Sequence, residues 1–478
     1  MIRRGIVMGI MTLSVLVIVT GTILFVLGYR LDSERGRLEQ GALVQVDSLP
    51  SGASITIDDQ DTKLRTPGKR TLVAGVHDFM VTRDGYQPWT KTLDLTAGTL
   101  TWLDYIRLVP KELKNETVAS YASLYGEKAS PDSRTLIVQE RADTPTFQLV
   151  DLRSQDIKTA AVSLPATIYS DASVAGANHV FTLLEWDEGG RYVLVKHEFS
   201  SRAEWIVLDT QNIGASVNVS RLLSVNPSEL MFAGTNGTVL YGLIDGVVRK
   251  LDLSAATLSR ALISDVESFD VYDTSILTYV GADPNDGNKH VVGIYRDGDQ
   301  SPHILRSAAR EVPLRIDTAQ YFSDDYVAIS EGLQVSILKG RYPTSSTEQT
   351  NSLEPFASFT VNSPITQLDF SPGNDYLVTQ TGFGFVGYEL EYKRLTTASD
   401  VTSKDSVAPA LQWLDDAYVW AVYDGSLLMR EFDGTNAHFI GPAVNGFDAA
   451  LTQNGRFLYS IAKDGETYHL QRVKMILD

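Results

Sequence analysis

The sequence predicts an all-β protein carried behind one apolar helix, and three observations lead there. Residues Gly5 to Gly28 hold no charged side chain, and their only polar ones are Thr12, Ser14, Thr20 and Thr22. The 450 residues that follow almost lack the 3.6-residue apolar period of helices. They carry short runs rich in Val, Ile, Leu, Tyr and Thr instead, broken by Gly, Asn, Asp and Ser, and over residues 116–478 those runs recur at a nearly constant spacing.

The apolar segment comes first. As an α-helix at ~1.5 Å per residue it is about 36 Å long, against ~30 Å of bilayer hydrocarbon. A cleaved signal peptide would have only ~7–15 apolar residues ending in a small-x-small site. Here the end reads Ile23-Leu24-Phe25-Val26-Leu27-Gly28-Tyr29-Arg30 and offers none. The expectation is an uncleaved signal anchor at residues 5–28, with residues 1–4 as a cytoplasmic tip. Arg3 and Arg4 precede the segment while Arg30, Arg35 and Arg37 follow it, so the basic residues alone do not orient it. The four-residue leader, with both arginines against the helix, favours a single-pass protein of the cell membrane with its bulk extracytoplasmic. Residues 29–42, with mixed charges and breaks at Gly36 and Gly41, read as a stalk that extends the helix and then releases the chain.

Charge and cysteine usage narrow the function. The net charge is −18, and residues 111–478 carry −19 of it, from 29 basic and 48 acidic side chains. Such a body is repelled by nucleic acid, so no nucleic-acid role is expected. Cysteine is absent, which excludes disulfides, thiolate metal sites and cysteine nucleophiles.

Residues 43–110 form a small β-unit on pattern alone. Leu43-Val44-Gln45-Val46 and Ser54-Ile55-Thr56-Ile57-Asp58 alternate apolar and polar residues across a Pro50–Gly52 turn. Thr71 to Val73, His77 to Thr82 and Trp89 to Leu95 continue as strands, with Asp84-Gly85 as a hairpin signal. The run Val46 to Asp58, the Thr66-Pro67 turn, the Leu72 to Phe79 run and Gly85-Tyr86 together resemble the PEGA domain, a small β-sandwich-like module of microbial surface proteins. The name-giving Pro-Glu-Gly-Ala stands here as Pro50-Ser51-Gly52-Ala53. The resemblance implies a spacer or binding module. His77 has no second ligand at metal spacing and reads as a structural residue.

Residues 116–478 repeat a turn followed by a strand. Markers at Pro131, Asp187, Asn226, Asp273, Asp324, Pro372, Asp415 and Asn454 are 56, 39, 47, 51, 48, 43 and 39 residues apart. A period near 40–50 with about four strands per repeat signals a β-propeller, because a single four-stranded sheet cannot bury both its faces. Eight markers predict eight blades, with seven possible because the markers near Tyr272 and Phe322 rest on pattern alone. The turns Ser130-Pro131-Asp132 and Ser371-Pro372-Gly373-Asn374-Asp375 resemble those of Tol-associated periplasmic propellers and the wider WD-like group.

Chemistry is sparsely signalled. The seven histidines show no paired metal or zincin spacing, and there is no nucleophile elbow, P-loop or dinucleotide fingerprint. No catalytic, cofactor-binding or metal residue is assigned, and no cofactor is expected. Asp283 to Asn288 resembles half a calcium loop, but the position of its last ligand is Ile294. Trp186, Trp205, Trp413 and Trp420 read as blade packing more readily than as a sugar-binding funnel. Phe383 and Phe385, in a Gly-Phe-Gly-Phe loop, are the candidate partner surface. The expected function is non-catalytic binding or scaffolding at the cell envelope, with a protein or glycan partner. The alternative is a propeller hydrolase or lyase acting on envelope polysaccharide.

Overall fold

The computed structural model describes the backbone of residues 2–26, 29–32, 37–174, 176–343 and 352–477. The chain divides into two compact units, residues 1–113 with 475–478, and residues 114–474. An α-helix runs over Ile2–Val26, with side chains described from residue 8 to residue 24. Among the described residues no helix is long and apolar enough to cross a membrane. The described side chains cover about 25 Å of helix, short of ~30 Å of hydrocarbon. A spanning segment at 5–28 is therefore not shown, and its two ends fall outside those side chains.

The expected stalk is corrected. Tyr29–Asp32 pairs antiparallel with the start of Arg37–Leu49, Tyr29 opposite Gln40. That second strand runs without a break into the first unit's sheet, so the described residues 29–32 and 37–42 belong to β-structure. At Gly41, which pairs with Val73, backbone pairing outweighs the break that suggested release, and Gly36 lies outside the described residues.

The first unit packs two sheets over one core. In one sheet Arg37–Leu49 is flanked by Gly68–Val73, antiparallel, and Leu100–Arg107, parallel. The other has the order Gln60–Arg65, Ser54–Ile57, Gly75–Thr82, Trp89–Leu95. The turn Pro50 to Ala53 hands the chain from one sheet to the other, with Gly52 at φ +81°. Alternation along Trp89–Leu95 is complete, every second residue being buried. Val44, Val46, Ile55, Phe79, Trp89 and Leu103 meet in the shared core, each 3% exposed or less.

The second unit holds eight four-stranded antiparallel sheets among its described residues. Seven are sequential: 126–163, 180–218, 229–258, 266–309, 314–360, 367–398 and 412–442, here blades 1 to 7. The eighth takes three strands from residues 450–474 and its fourth from the other end of the unit. There Asn115–Tyr121 pairs with Thr467–Lys474, Tyr121 opposite Tyr468. This pairing joins the unit's first strand to its last sheet, as a propeller-like fold without open ends requires. Buried clusters draw on successive blades: Ile137 and Phe147 of blade 1 meet Phe181 and Val195 of blade 2, and Leu136 of blade 1 meets Tyr459 and Leu470 of blade 8. One repeat marker needs moving. Asn226 precedes the first strand of blade 3, Glu229–Phe232, whereas the equivalent turn is at residues 233–238.

Candidate functional site

The first strand of each blade is a sheet edge, so some of its backbone N–H groups have no ladder partner. Side chains of the preceding blade accept from them at five junctions. The Phe232 N–H donates to Glu185 Oε1 at 2.9 Å, and that of Phe370 to Asp317 Oδ2 at 2.6 Å. Tyr272 Oη accepts from Gln320 and Gln367 Oε1 from Leu411. At the closing junction Asp448 Oδ2 accepts from Ala129 at 3.0 Å. Two of these junctions bring like charges together: Asp270 acts on Glu185, and Asp270 and Asp369 act on Asp317. Burial pushes Asp317 up to about 8, helped by the charges of Asp369 and Asp270 and only partly offset by the Phe370 N–H. Burial likewise lifts Glu185 to about 7. Among the described residues no group of acidic and histidine side chains has metal-holding geometry.

A different arrangement occupies one end of blade 2. The strands Tyr192–Phe199 and Arg202–Asp209 form a hairpin closed by Ser200 and Ser201, which sets His197 opposite Glu204. His197 Nδ1 lies 2.8 Å from Glu204 Oε1, and its Nε2 lies 2.9 Å from His179 Nδ1. Glu204 also accepts from the Ser170 N–H and Ser170 Oγ, both at 2.7 Å. His197 is fully buried and Glu204 is 5% exposed. Burial would raise the Glu204 carboxyl, but the bonds from His197, Asn218 and Ser170 outweigh it and hold it at about 2. An ionised carboxylate only accepts, so the proton shared with His197 sits on Nδ1. His197 Nε2 and His179 Nδ1 share the second hydrogen bond, its donor set by the tautomers of the two rings. The imidazoles stack within a ring ladder, His197 lying 4.3 Å from Phe181 and 4.7 Å from Phe199, and the Tyr169 ring stands edge-on to His197.

Glu204 and Ser170 of this arrangement line a pocket of about 880 Å³. Its walls come from the blade 1–2 connection (Ser170, Asn178), the 200–201 hairpin tip and the blade 2–3 connection (Arg221, Asn226). The connection before blade 2 is pinned at several points. Asn218 Nδ2 donates to the Ile168 carbonyl, Arg221 to that of Thr167, and Arg202 pairs with Asp171 at 2.8 Å.

The residues singled out from sequence lie elsewhere. Phe385 is 1% exposed, under the Arg430 guanidinium, and Phe383 packs against the blade 6–7 core, its ring 6.3 Å from Tyr423. The expected partner surface there is corrected: Phe385 stands inside the strand Gly384–Glu389, whose residues are all buried. Among the described aromatics Phe322 is the most exposed (83%), at a hairpin tip with φ +53°. Trp186, Trp205 and Trp420 are buried, and Trp186 and Trp205 donate to the carbonyls of Lys128 and Pro227. Asp283 and Asp286 accept from their own loop, at Asn285 and Asn288. His77 bridges Asp58 Oδ2 (2.6 Å) and the Val73 carbonyl (2.8 Å).

Sheet order places the second unit among propeller-like all-β folds. Residues 42–111, within the first unit, match the PEGA domain. No curated protein matches the chain. Among solved structures, Kluyveromyces lactis Hsv2 is similar at 11% identity, covering 74% of this chain and 99% of that one, with a TM-score of 0.39. A complex of KlAtg21 with the coiled-coil of AgAtg16 is similar at 12% identity over 68% and 100% of the two chains (TM-score 0.45). The dihydro-heme d1 dehydrogenase NirN in complex with DHE is similar at 13% over 77% and 72% (TM-score 0.42). The resemblance of the blade turns to Tol-associated propellers is not established by these comparisons.

Proposed function

We propose that the chain is a membrane-anchored binding and scaffold protein of the cell envelope, its bulk extracytoplasmic, with the PEGA unit as spacer and the second unit as ligand carrier. One observation carries the binding reading: the blade 2 pocket has Ser170 beside Glu204, which is bonded to the buried His197, but no activated nucleophile. Ser170 Oγ donates to Glu204, and a carboxylate held at about 2 is far too weak a base to take a serine proton near neutral pH. His197, the buried imidazole, has both ring nitrogens occupied. Groups so mutually engaged preorganise a cavity and leave little for bond-breaking, which weighs against a hydrolase or lyase.

Anchoring is supported by the helix surface. Met8, Met11, Leu13, Leu16, Val17 and Ile18 are each at least 60% exposed, and at 100° per residue they point in every direction. Water does not tolerate such a surface alone, and lipid is the solvent that suits it. Arg3 and Arg4, immediately before the apolar run, support the outward orientation of the bulk.

The test incubates the full chain, held in detergent, with polysaccharide and protein fractions of an envelope extract. A partner retained saturably and intact supports the reading. Polysaccharide recovered shortened, with new reducing ends, overturns it in favour of the hydrolase or lyase.

A further inference from the structure

The blade 2 pocket also has a chemical bias. Its charged rim groups are already answered within the protein: Arg202 by Asp171 at 2.8 Å, Glu198 by Lys196 at 3.2 Å, and Glu204 by His197 at 2.8 Å. Arg221 donates to the Thr167 carbonyl and to Ser170 Oγ. What remains unspent, among the described residues, is neutral and exposed: the amides of Asn178 and Asn226 and the hydroxyls of Ser200 and Ser201. A lining whose charged side chains are already bonded within the protein, and whose unspent groups are several convergent short neutral donors and acceptors, favours a ligand that is itself neutral and rich in hydroxyls.

The hairpin tip points the same way. Ser200 and Ser201 sit at φ +43° and +62°, both in the left-handed region. A two-residue turn of this kind is normally filled by Asn-Gly, since a serine at each position is strained there. Strain of this sort persists where side chains are needed for something other than folding. Both hydroxyls stand on the pocket wall. Beneath them the Arg202 guanidinium lies 4.8 Å from the Phe199 ring centre, which fixes the tip on the ring ladder.

We propose that the blade 2 pocket binds a neutral oligosaccharide segment through Asn178, Ser200, Ser201 and Asn226. This rests on the binding reading above and names its ligand class. The cavity volume of about 880 Å³ lies within the range of sites that enclose molecules larger than one sugar ring.

The experiment is calorimetric titration of the full chain in a polyoxyethylene detergent, which carries no sugar headgroup. The probes are chitotetraose, maltotetraose and mannotetraose, with inorganic phosphate and spermine as charged controls. The expected result is saturable binding of at least one tetrasaccharide and of neither charged probe. The variant S200N/S201G is expected to bind about tenfold more weakly while unfolding at a higher temperature, because it relieves the turn strain and removes two hydroxyls. A loss of binding through misfolding would lower that temperature instead. N178A/N226A is expected to bind about tenfold more weakly with an unchanged melt. No saturation by any tetrasaccharide, preference for a charged probe, or variants that bind like the parent would each overturn the proposal. In those outcomes, an intact partner retained from the envelope extract would leave the binding reading standing, with another ligand.

Discussion

Two regions of the second unit use the same functional group and drive it in opposite directions. Between blades 5 and 6 Asp317 caps a strand edge among other carboxylates, and burial lifts it to about 8. At the end of blade 2 Glu204 is also buried, yet it is held at about 2. The difference lies in the donors. Asp317 has two backbone N–H groups, from Thr318 and Phe370, and like-charged neighbours. Glu204 has an imidazole, a hydroxyl, an N–H and the Asn218 side chain. A buried carboxyl is thus a neutral edge cap or a fixed anion according to the hydrogens delivered to it, and depth of burial alone does not decide.

The largest expected effect comes from breaking the second region. Glu204→Ala leaves His197 buried with no acceptor and cuts the Ser170 tether, and should cost about 3 kcal/mol by denaturant melt. Glu204→Gln, which keeps an acceptor, should cost less than half of that. A cost for Glu204→Ala no larger than that of an ordinary surface change would mean the relay does not hold the connection.

Next in size is the pH dependence. Asp317 has a folded value raised above its unfolded one, so the stability tied to its proton is present below about pH 4 and is lost as pH rises through about 8. Glu204 is depressed, so its contribution is present above about pH 4.5 and is lost as pH falls through about 2. The melting temperature of Asp317→Asn should therefore fall less than the parent's between about pH 5 and pH 9. Parallel curves for the two proteins would remove the first half of the comparison.

The smallest effect belongs to the first unit. Burial would lower His77, but the Asp58 and Val73 bonds outweigh it and raise it. Its stabilising contribution is full below about pH 6.5 and fades as pH rises through the elevated folded value. His77→Ala should cost about 1 kcal/mol at about pH 6 and less at about pH 9. Amide exchange at Asp58 and Asp78, whose N–H groups lie beside this contact, would report it. Equal protection in both proteins at both pH values would remove the assigned role.

Much of the fold was legible because turns demand particular residues. Ser-Pro-Asp and Ser-Pro-Gly-Asn segments can do little but turn, and their spacing gave the sheet period. Asn226 misled because Asn-Pro also opens a connection between blades, and it stood one strand early. The pairing of Asn115–Tyr121 with the last sheet was not legible, since no local signal links residues so far apart. Tyr29–Asp32 was read as stalk because its charges obscured a strand that the neighbouring sheet orders.

The pocket was missed for a related reason. Histidines were sought at spacings along the chain, whereas His197 and Glu204 are brought together by register. A turn at Ser200-Ser201 pairs 199 with 202 and hence 197 with 204, a signal present in the sequence once that turn is recognised. His179 joins them through packing and carried no such signal. The glycines flanking Phe385 suggest a loop and with it a surface position. The strand Gly384–Glu389 is buried along its whole length, and there the glycines mark close packing: a Cβ at Gly387 would lie against the Phe432 carbonyl of the next blade.

The most direct test of the contrast is infrared difference spectroscopy of the protonated-carboxyl stretch at about pH 6, between the unfolded and lifted values of Asp317. Glu185, lifted to about 7, contributes to that band as well, so the parent protein should show a band of which one component is lost in Asp317→Asn and the whole is kept in Glu204→Gln. A band lost in Glu204→Gln and kept in Asp317→Asn would reverse the assignment, and with it the claim that delivered hydrogen bonds set the charge of a buried carboxyl in this fold.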